Sequence, residues 1–320
     1  MGNRTALVLG AGGFIGSHLV KALKSDGYWV KGIDLKYPEY WNTEADEFII
    51  ADLRDPDAVN THIDIKFDEV YQLAADMGGA GYINTGNNDA EVMSNSILIN
   101  VNILKKCQSI GIESIFYSST ACVYPEYNQL TPEDVMCRED SVYPAQPDTE
   151  YGWEKLFSER LYLAYNKNYG MKNKIARYHN VFGPYGTWSG GKEKAPAAIC
   201  RKVANSKDSI EIWGDGNQYR SFLYIDECIK ATLAFYRDTT YYEPINIGSE
   251  RMISINYLVD LVSGIDGKNL KKVYIDGPIG VHARTSDNSL FHSIFGWTPK
   301  ENLEEGLIET YMWIKGQINE

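Results

Sequence analysis

The chain is poor in whatever would staple it, thread it through a bilayer or hold it to nucleic acid. Its 320 residues include five cysteines, Cys107, Cys122, Cys137, Cys200 and Cys228. Their number is odd, their spacings are wide and no CxxC pair occurs. That argues against a disulfide framework or a zinc site and points to a reducing cytoplasm. No run of about 18 apolar residues is present, so no membrane-spanning helix is expected. Strand character begins at once in MGNRTALVLGAGG, which leaves no room for a signal peptide. The start MGNRTA meets a myristoylation pattern only loosely, with Thr5 one place early. The five histidines show no metal-ligand spacing, so no metal is expected. Positive charge is in deficit, with a formal net charge of -12. Such a surface repels nucleic acid, although a local cluster of Lys and Arg could still hold a phosphorylated small molecule.

What is present reads as a globular enzyme-sized chain. Hydrophobic residues make up 44% and charged residues 23%, ordinary values for a soluble protein with an ample core. TALVLG, WVKGID, EFIIAD, EVYQLA, SIFYSS and NKIARYHNVFG read as strands. Amphipathic stretches such as GSHLVKALKSDG and NSILINVNILKKCQSIGI lie between several of them. This alternation, with nearly continuous apolar strands, predicts an α/β chain with a doubly wound parallel sheet covered on both faces. Beyond Phe182 the pattern changes. GPYGTWSGGKEKAP is Gly-rich and aperiodic, a loop suited to covering a binding site. APAAICRKVANS, SINYLVDLVSGID and LEEGLIETYMWIKGQI read as helices, and PINIGS as a late strand that could rejoin the sheet. No repeat or low-complexity linker interrupts the chain.

VLGAGGFIGSHL places Gly10, Gly13 and Gly16 directly after the first strand and at the start of a helix. Glycines there allow a tight turn, admit a pyrophosphate against the backbone and let helix and strand pack closely. The positive end of the helix then faces the phosphates. Asp34 ends the second strand about 20 residues on, where a carboxylate takes both ribose hydroxyls and repels a 2′-phosphate. NAD is therefore expected rather than NADP, with Lys36 nearby as the counter-indication. Asp52 ends the third strand and could meet the adenine, or could cap a helix.

The stretch SSTACVYPE is followed by YGWEK, which is Tyr151-x-x-x-Lys155. Residues four apart share a helix face. A lysine there could lower the phenol pKa and reach the nicotinamide ribose, so that Tyr151 serves as acid or base with the Thr120 hydroxyl beside it. The bland alternative is an exposed ion-bearing helix face. Cys122 could likewise be a small apolar filler at a strand end.

Together these motifs resemble the extended short-chain dehydrogenases/reductases that act on nucleotide sugars. The likeness covers almost the whole chain and includes RYHNVFGP, WGDGNQYRSFLYIDE, NIGS and GVHARTSDN. It implies a Rossmann-type NAD-binding part over residues 1–183, with a later return near 222–250. Residues 184–221 and 251–320 would form a smaller C-terminal lobe for the nucleotide sugar. It also implies cofactor contacts from Phe14, Ile15, Leu53 and Ala74, besides Gly10, Gly13, Gly16, Asp34, Asp52 and Lys155. The 4,6-dehydratases of the family carry an Asp-Glu pair after the threonine, where this chain has Ala121 and Cys122. With LAADMGGAGYI and GTWSGGKEKAPAA, the chain resembles the branch that inverts GDP-mannose at C3 and C5, from which TGNNDAEVM departs. That resemblance implies acid/base roles for Cys122 and Lys194. It implies a sugar site lined by Gly78, Thr120, Ala121, Tyr151, Asn180, Glu193, Ala195 and Lys202. Gln218, Arg220 and Arg284 would meet the diphosphate or sugar. A nucleotide-sugar 4-epimerase or C4 dehydrogenase, on GDP-mannose or a related GDP-heptose, is the alternative. The family also implies a homodimer joined through a four-helix bundle.

Overall fold

The computed structural model describes residues 4–319; Met1 to Asn3, the start of the loose myristoylation pattern, lie outside the described residues. Fourteen strands are present among the described residues. They are β1 (Thr5–Leu9), β2 (Trp29–Asp34), β3 (Glu47–Ile50), β4 (Glu69–Gln72), β5 (Phe116–Thr120), β6 (Lys174–Tyr178) and β7 (Val181–Phe182), then β8 (Ser209–Trp213), β9 (Tyr219–Ser221), β10 (Leu223–Tyr224), β11 (Ile245–Ile247), β12 (Met252–Ser254), β13 (Lys271–Ile275) and β14 (Ala283–Arg284). The helices are α1 (Phe14–Ser25), α2 (Pro56–His62), α3 (Ala80–Ile83), α4 (Asp89–Ser109), α5 (Glu150–Tyr169), α6 (Ala195–Asn205), α7 (Ile225–Arg237), α8 (Ile255–Ile265), α9 (Ser289–Phe295) and α10 (Leu303–Asn319).

The expected parallel sheet is present. Its order is β11-β6-β5-β4-β1-β2-β3, with every pairing parallel. Successive side chains of a strand point to opposite faces, and here both faces are apolar. Ala6 and Val8 of β1 join a core with Leu19 and Leu23 of α1 and Phe235 of α7. Leu7 and Leu9 join the opposite core with Val59 of α2, Ile103 of α4 and Tyr162 of α5. The strand order reverses between β1 and β4, and the crevice beyond their carboxyl ends is where open α/β sheets bind ligands. Three small sheets, β10-β7, β12-β9-β14 and β13-β8, lie outside the main one. No helix among the described residues is long and apolar enough to cross a membrane.

Two elements differ from expectation. NKIARYHNVFG reads as one strand but forms two, because Asn180 sits at φ +40. Asn tolerates the left-handed region, and its amide donates to Ser221 O at 3.0 Å. The chain therefore leaves the main sheet after β6, and β7 pairs with β10. Helix α4 begins at Asp89 rather than Asn95, so part of TGNNDAEVM is helical. Strand β13 gave no clear signal, since its alternation leaves it mostly exposed.

Candidate active site

The turn after β1 is built for close backbone approach. Gly10 has φ +87, and an added Cβ would lie 2.7 Å from Ala74 N. At Gly16 a Cβ would lie 2.0 Å from Gly10 O. At Gly13, the N-cap of α1, it would meet only Gly10 O, at 3.4 Å. No side chain caps α1 and no acidic residue occupies its first turn. The amides of Phe14, Ile15 and Gly16 thus face an open anion position at the positive end of a helix dipole. Asp34 accepts from Gly12 N at 2.9 Å and Leu35 N at 2.6 Å. Burial raises its pKa against these hydrogen bonds. Lys36 pairs with Glu39 at 3.1 Å. Asp52 is not a helix cap: Asp55 caps α2, and the Asp52 carboxylate takes the Arg54 guanidinium at 2.6 Å. Leu53 beside it is buried, and Ala74 donates to Gln72 Oε1 at 3.1 Å.

Thr120 ends β5 and Tyr151 lies in the first turn of α5, set there by Thr149, whose hydroxyl caps the helix through Gly152 N. An added Cβ on Gly152 would lie 2.2 Å from Cys122 O, so helix and strand end meet backbone to backbone. The Thr120 hydroxyl faces the Tyr151 phenol and accepts from Cys122 N at 3.3 Å. Lys155 is buried, donates to Ser118 O at 3.0 Å, and lies 5.9 Å from the Tyr151 ring centroid. The expected depression of the phenol is not what this structure gives. Burial raises the Tyr151 pKa, Cys122 and Glu154 add to it, and the Thr120 hydrogen bond opposes. Burial likewise lowers the Lys155 pKa, against the carboxylates of Glu154 and Glu159.

A cavity of about 550 Å³ opens over this corner. Every residue expected at the sugar site lines it: Gly78, Thr120, Ala121, Cys122, Tyr151, Asn180, Glu193, Lys194, Ala195, Lys202, Gln218, Arg220 and Arg284. Lys194 caps α6, and its ammonium makes no hydrogen bond or ion pair among the described residues. Burial lowers its pKa, against Cys122 and Cys228. Gln218 is buried, and its Oε1 has no hydrogen-bond partner among the described residues. Glu193 accepts from Gly191 N at 2.6 Å and Arg201 at 2.8 Å. Lys202 turns to Glu211 O at 2.9 Å.

The two arginines are already engaged. Arg220 donates to the carbonyls of Tyr219 and Val281 at 2.7 and 2.6 Å, and so ties down the segment before β14. Arg284 reaches Cys122 Sγ at 3.0 Å, Asp148 at 3.2 Å and the Gln129 side-chain oxygen. Burial works against its charge, but Cys122 and Asp148 outweigh it and its pKa is raised.

Several residues here carried no sequence motif. Asp148 and Gln129 lie in irregular chain and are recruited only by the fold. Gly12 was hidden beside Gly13, yet a Cβ there would lie 2.1 Å from Lys36 O. Glu159 follows Lys155 by one helical turn, and its pairing at 2.8 Å with Arg177 of β6, farther along the chain, has no local signature.

The geometry agrees with what the chain is similar to. The model of the NAD dependent epimerase/dehydratase family matches residues 6–248. GDP-mannose 3,5-epimerase of Arabidopsis thaliana is 44% identical over 97% of this chain and 82% of its own length. GDP-mannose 3,5-epimerase 1 of Oryza sativa subsp. indica is 42% identical over the same shares. The crystal structure of UDP-glucuronic acid 4-epimerase from Bacillus cereus, in complex with UDP-glucuronic acid and NAD, is 30% identical with a TM-score of 0.81, covering 98% of this chain and 100% of that one. The chain belongs to the NAD dependent epimerase/dehydratase family, and to the NAD-dependent nucleotide-sugar epimerases within it.

Proposed function

We propose that the protein inverts GDP-mannose at C3 and C5 through a transient C4 ketone. The observation that carries this reading is one cavity lined by Thr120, Tyr151, Cys122 and Lys194 together. The relatives that are 42 and 44% identical bear the name of that reaction. The open α1 N-terminus and the Asp34 carboxylate fit a dinucleotide without a 2′-phosphate, and the engagement of Lys36 by Glu39 removes its nearest cation. NAD would accept a hydride from C4 and later return it.

Tyr151 takes the C4 hydroxyl proton, with Thr120 as its hydrogen-bond partner. Lys155 would hold the nicotinamide ribose, and its ammonium, 5.9 Å from the ring centroid, would have to offset the burial that raises the Tyr151 pKa. The C4 ketone makes the hydrogens on C3 and C5 acidic, which the bare sugar does not. Inversion then requires one group on each face of the ring. Cys122 removes a proton from one face, beside the Arg284 guanidinium, and Lys194 delivers one to the other. Donors aimed at the developing oxyanion are typically worth about 3 kcal/mol, and Thr120 and Tyr151 would supply them. The two arginines would hold the diphosphate, and Gln218 Oε1, unpartnered among the described residues, would accept from a hydroxyl or N–H of the nucleoside.

Incubation with GDP-mannose in heavy water tests the reading. The expected result is deuterium at C3 and C5 of the recovered sugar, lost in Cys122→Ser and Lys194→Ala. An unlabelled sugar altered only at C4 would make the protein a 4-epimerase or C4 dehydrogenase instead.

The five free cysteines suit a reducing cytoplasm. Trp153 and Phe157 share an exposed face of α5, and Leu98 is exposed on α4, which packs against it. Apolar side chains four apart on paired helices suit a four-helix bundle with a second copy. Sedimentation is expected to show a dimer that Phe157→Glu converts to monomer. A monomeric parent refutes it.

A further inference from the structure

Lys194 has a position but no tether. Its ammonium makes no hydrogen bond or ion pair among the described residues, so its backbone must aim it. Downstream that backbone is held by α6, where Lys194 O accepts from Ala198 N at 2.9 Å. Upstream it is held two residues away. Lys192 O accepts from Gly79 N at 2.9 Å. The Lys192 ammonium lies 3.7 Å from the Tyr82 ring centroid and 3.6 Å from Asp76 Oδ1. Tyr82 donates its hydroxyl to the same oxygen at 3.0 Å, and Asn95 donates to Asp76 Oδ2 at 2.9 Å.

Asp76 thus accepts hydrogen bonds from α3 and α4 and forms an ion pair with the loop that carries Lys194. The lone pairs of one carboxylate take both hydrogen bonds, and its charge faces the ammonium. The contact is a close one: a Cβ on Gly79 would lie 2.1 Å from Glu193 O. On its other side the network runs toward the dinucleotide turn. Asn95 Oδ1 accepts from Arg54 at 2.9 Å, and Arg54 clasps Asp52. Ala74, two residues before Asp76, packs against Gly10.

We propose that Asp76 is a positioning residue, latching residues 189–194 onto the segment between β4 and α4 and so aiming Lys194 into the cavity. This rests on the reading of Lys194 as the proton donor. Tyr151 and Lys155 stand on α5, and among the described residues neither makes a hydrogen bond or ion pair with Asp76, Tyr82 or Lys192, so at equal NAD content the hydride step at C4 is expected to depend on the latch far less than the reprotonation of carbon does. A mispositioned Lys194 slows only the reprotonation of carbon.

The test uses the full chain loaded with NAD, as parent, Asp76→Asn, Lys192→Met and Lys192→Arg. Amide hydrogen exchange of residues 189–194 is measured without substrate, and is expected to speed up in Asp76→Asn and Lys192→Met. With GDP-mannose, solvent deuterium uptake into the sugar is expected to fall on the order of tenfold to a hundredfold in Asp76→Asn, while formation of bound NADH changes by less than about twofold. Lys192→Arg, which keeps the cation over the ring, restores most of the uptake. Unchanged exchange of residues 189–194 in Asp76→Asn overturns the latch whatever the activity. Equal losses of NADH formation and deuterium uptake overturn the positioning role. A parent that takes up no deuterium sinks the proposed reaction, and the hydrogen exchange then decides the latch by itself.

Discussion

Replacing Glu159 by alanine would leave a cation stranded inside the protein. Glu159 and Arg177 have side chains only 2% and 4% exposed, and their charged groups meet at 2.8 and 3.0 Å. Glu159 also accepts from the Ser119 hydroxyl at 2.5 Å. Once it is gone, Arg177 keeps Tyr124 and Glu139 O as acceptors, and the Glu139 carboxylate, which is hydrogen-bonded to Asn246 N, acts on the guanidinium only through space. Breaking a buried pair from one side costs about 3–5 kcal/mol, a large part of the roughly 5–15 kcal/mol that holds a domain together. Urea denaturation of Glu159→Ala should therefore show a much lower midpoint at unchanged slope. The double variant Glu159→Met with Arg177→Met strands no charge and should recover most of the loss. A single variant within about 1 kcal/mol of the parent would refute the reasoning, since surface substitutions alone stay in that range. So would a double variant as unstable as the single one. The consequence reaches the site: Ser119 adjoins Thr120, and Glu159 lies one turn beyond Lys155. The pair thus holds the helix that carries Tyr151 and Lys155 against strands β5 and β6.

Tyr151→Phe keeps the buried ring and loses the proton acceptor. Formation of bound NADH from GDP-mannose should fall about 10²- to 10⁴-fold, with dinucleotide content unchanged; a parent-like rate refutes the assignment. Acid should also weaken the fold. Burial lowers the His18 pKa from its ordinary 6.5 to about 4, while its hydrogen bond to Pro184 O opposes the shift. Between those values the unfolded chain binds a proton that the folded chain does not, so stability is full above pH 6.5 and falls toward pH 4. The gap, at about 1.4 kcal/mol per pH unit, is worth about 3 kcal/mol. Burial lowers the His179 pKa likewise, to about 3, so stability measured against pH should lose only the His18 share of its slope in His18→Gln; an equal slope in both proteins refutes it.

The sheet was legible because period-two burial on both faces leaves an unbroken apolar record, as in TALVLG. The glycine turn was legible because strand, glycines and helix must come in that order. The sugar-side cavity was reached through resemblance, since nothing in the local spacing of EKAP says that Lys194 will approach Cys122. Less of the electrostatics could be read. A sequence shows that Lys155 shares a helix face with Tyr151, but not that both are buried or that Lys155 donates to Ser118 O. It shows Arg284 as a cation suited to phosphate, but not that Asp148 and Gln129 turn it toward a thiol. Those outcomes depend on contacts between residues far apart along the chain, and no periodicity encodes them.

The left-handed residue Asn180 gives the molecule a division of labour. Up to Tyr178 the backbone obeys the ladder of the main sheet, which must stay fixed for the dinucleotide turn. One unusual dihedral later it is released from that ladder to line the cavity, and it rejoins the sheet at β11, beside β6. Insertions and exchanges in the loop between β7 and α6 can therefore reshape the cavity walls while the main sheet, with β11 and α7, stays as it is.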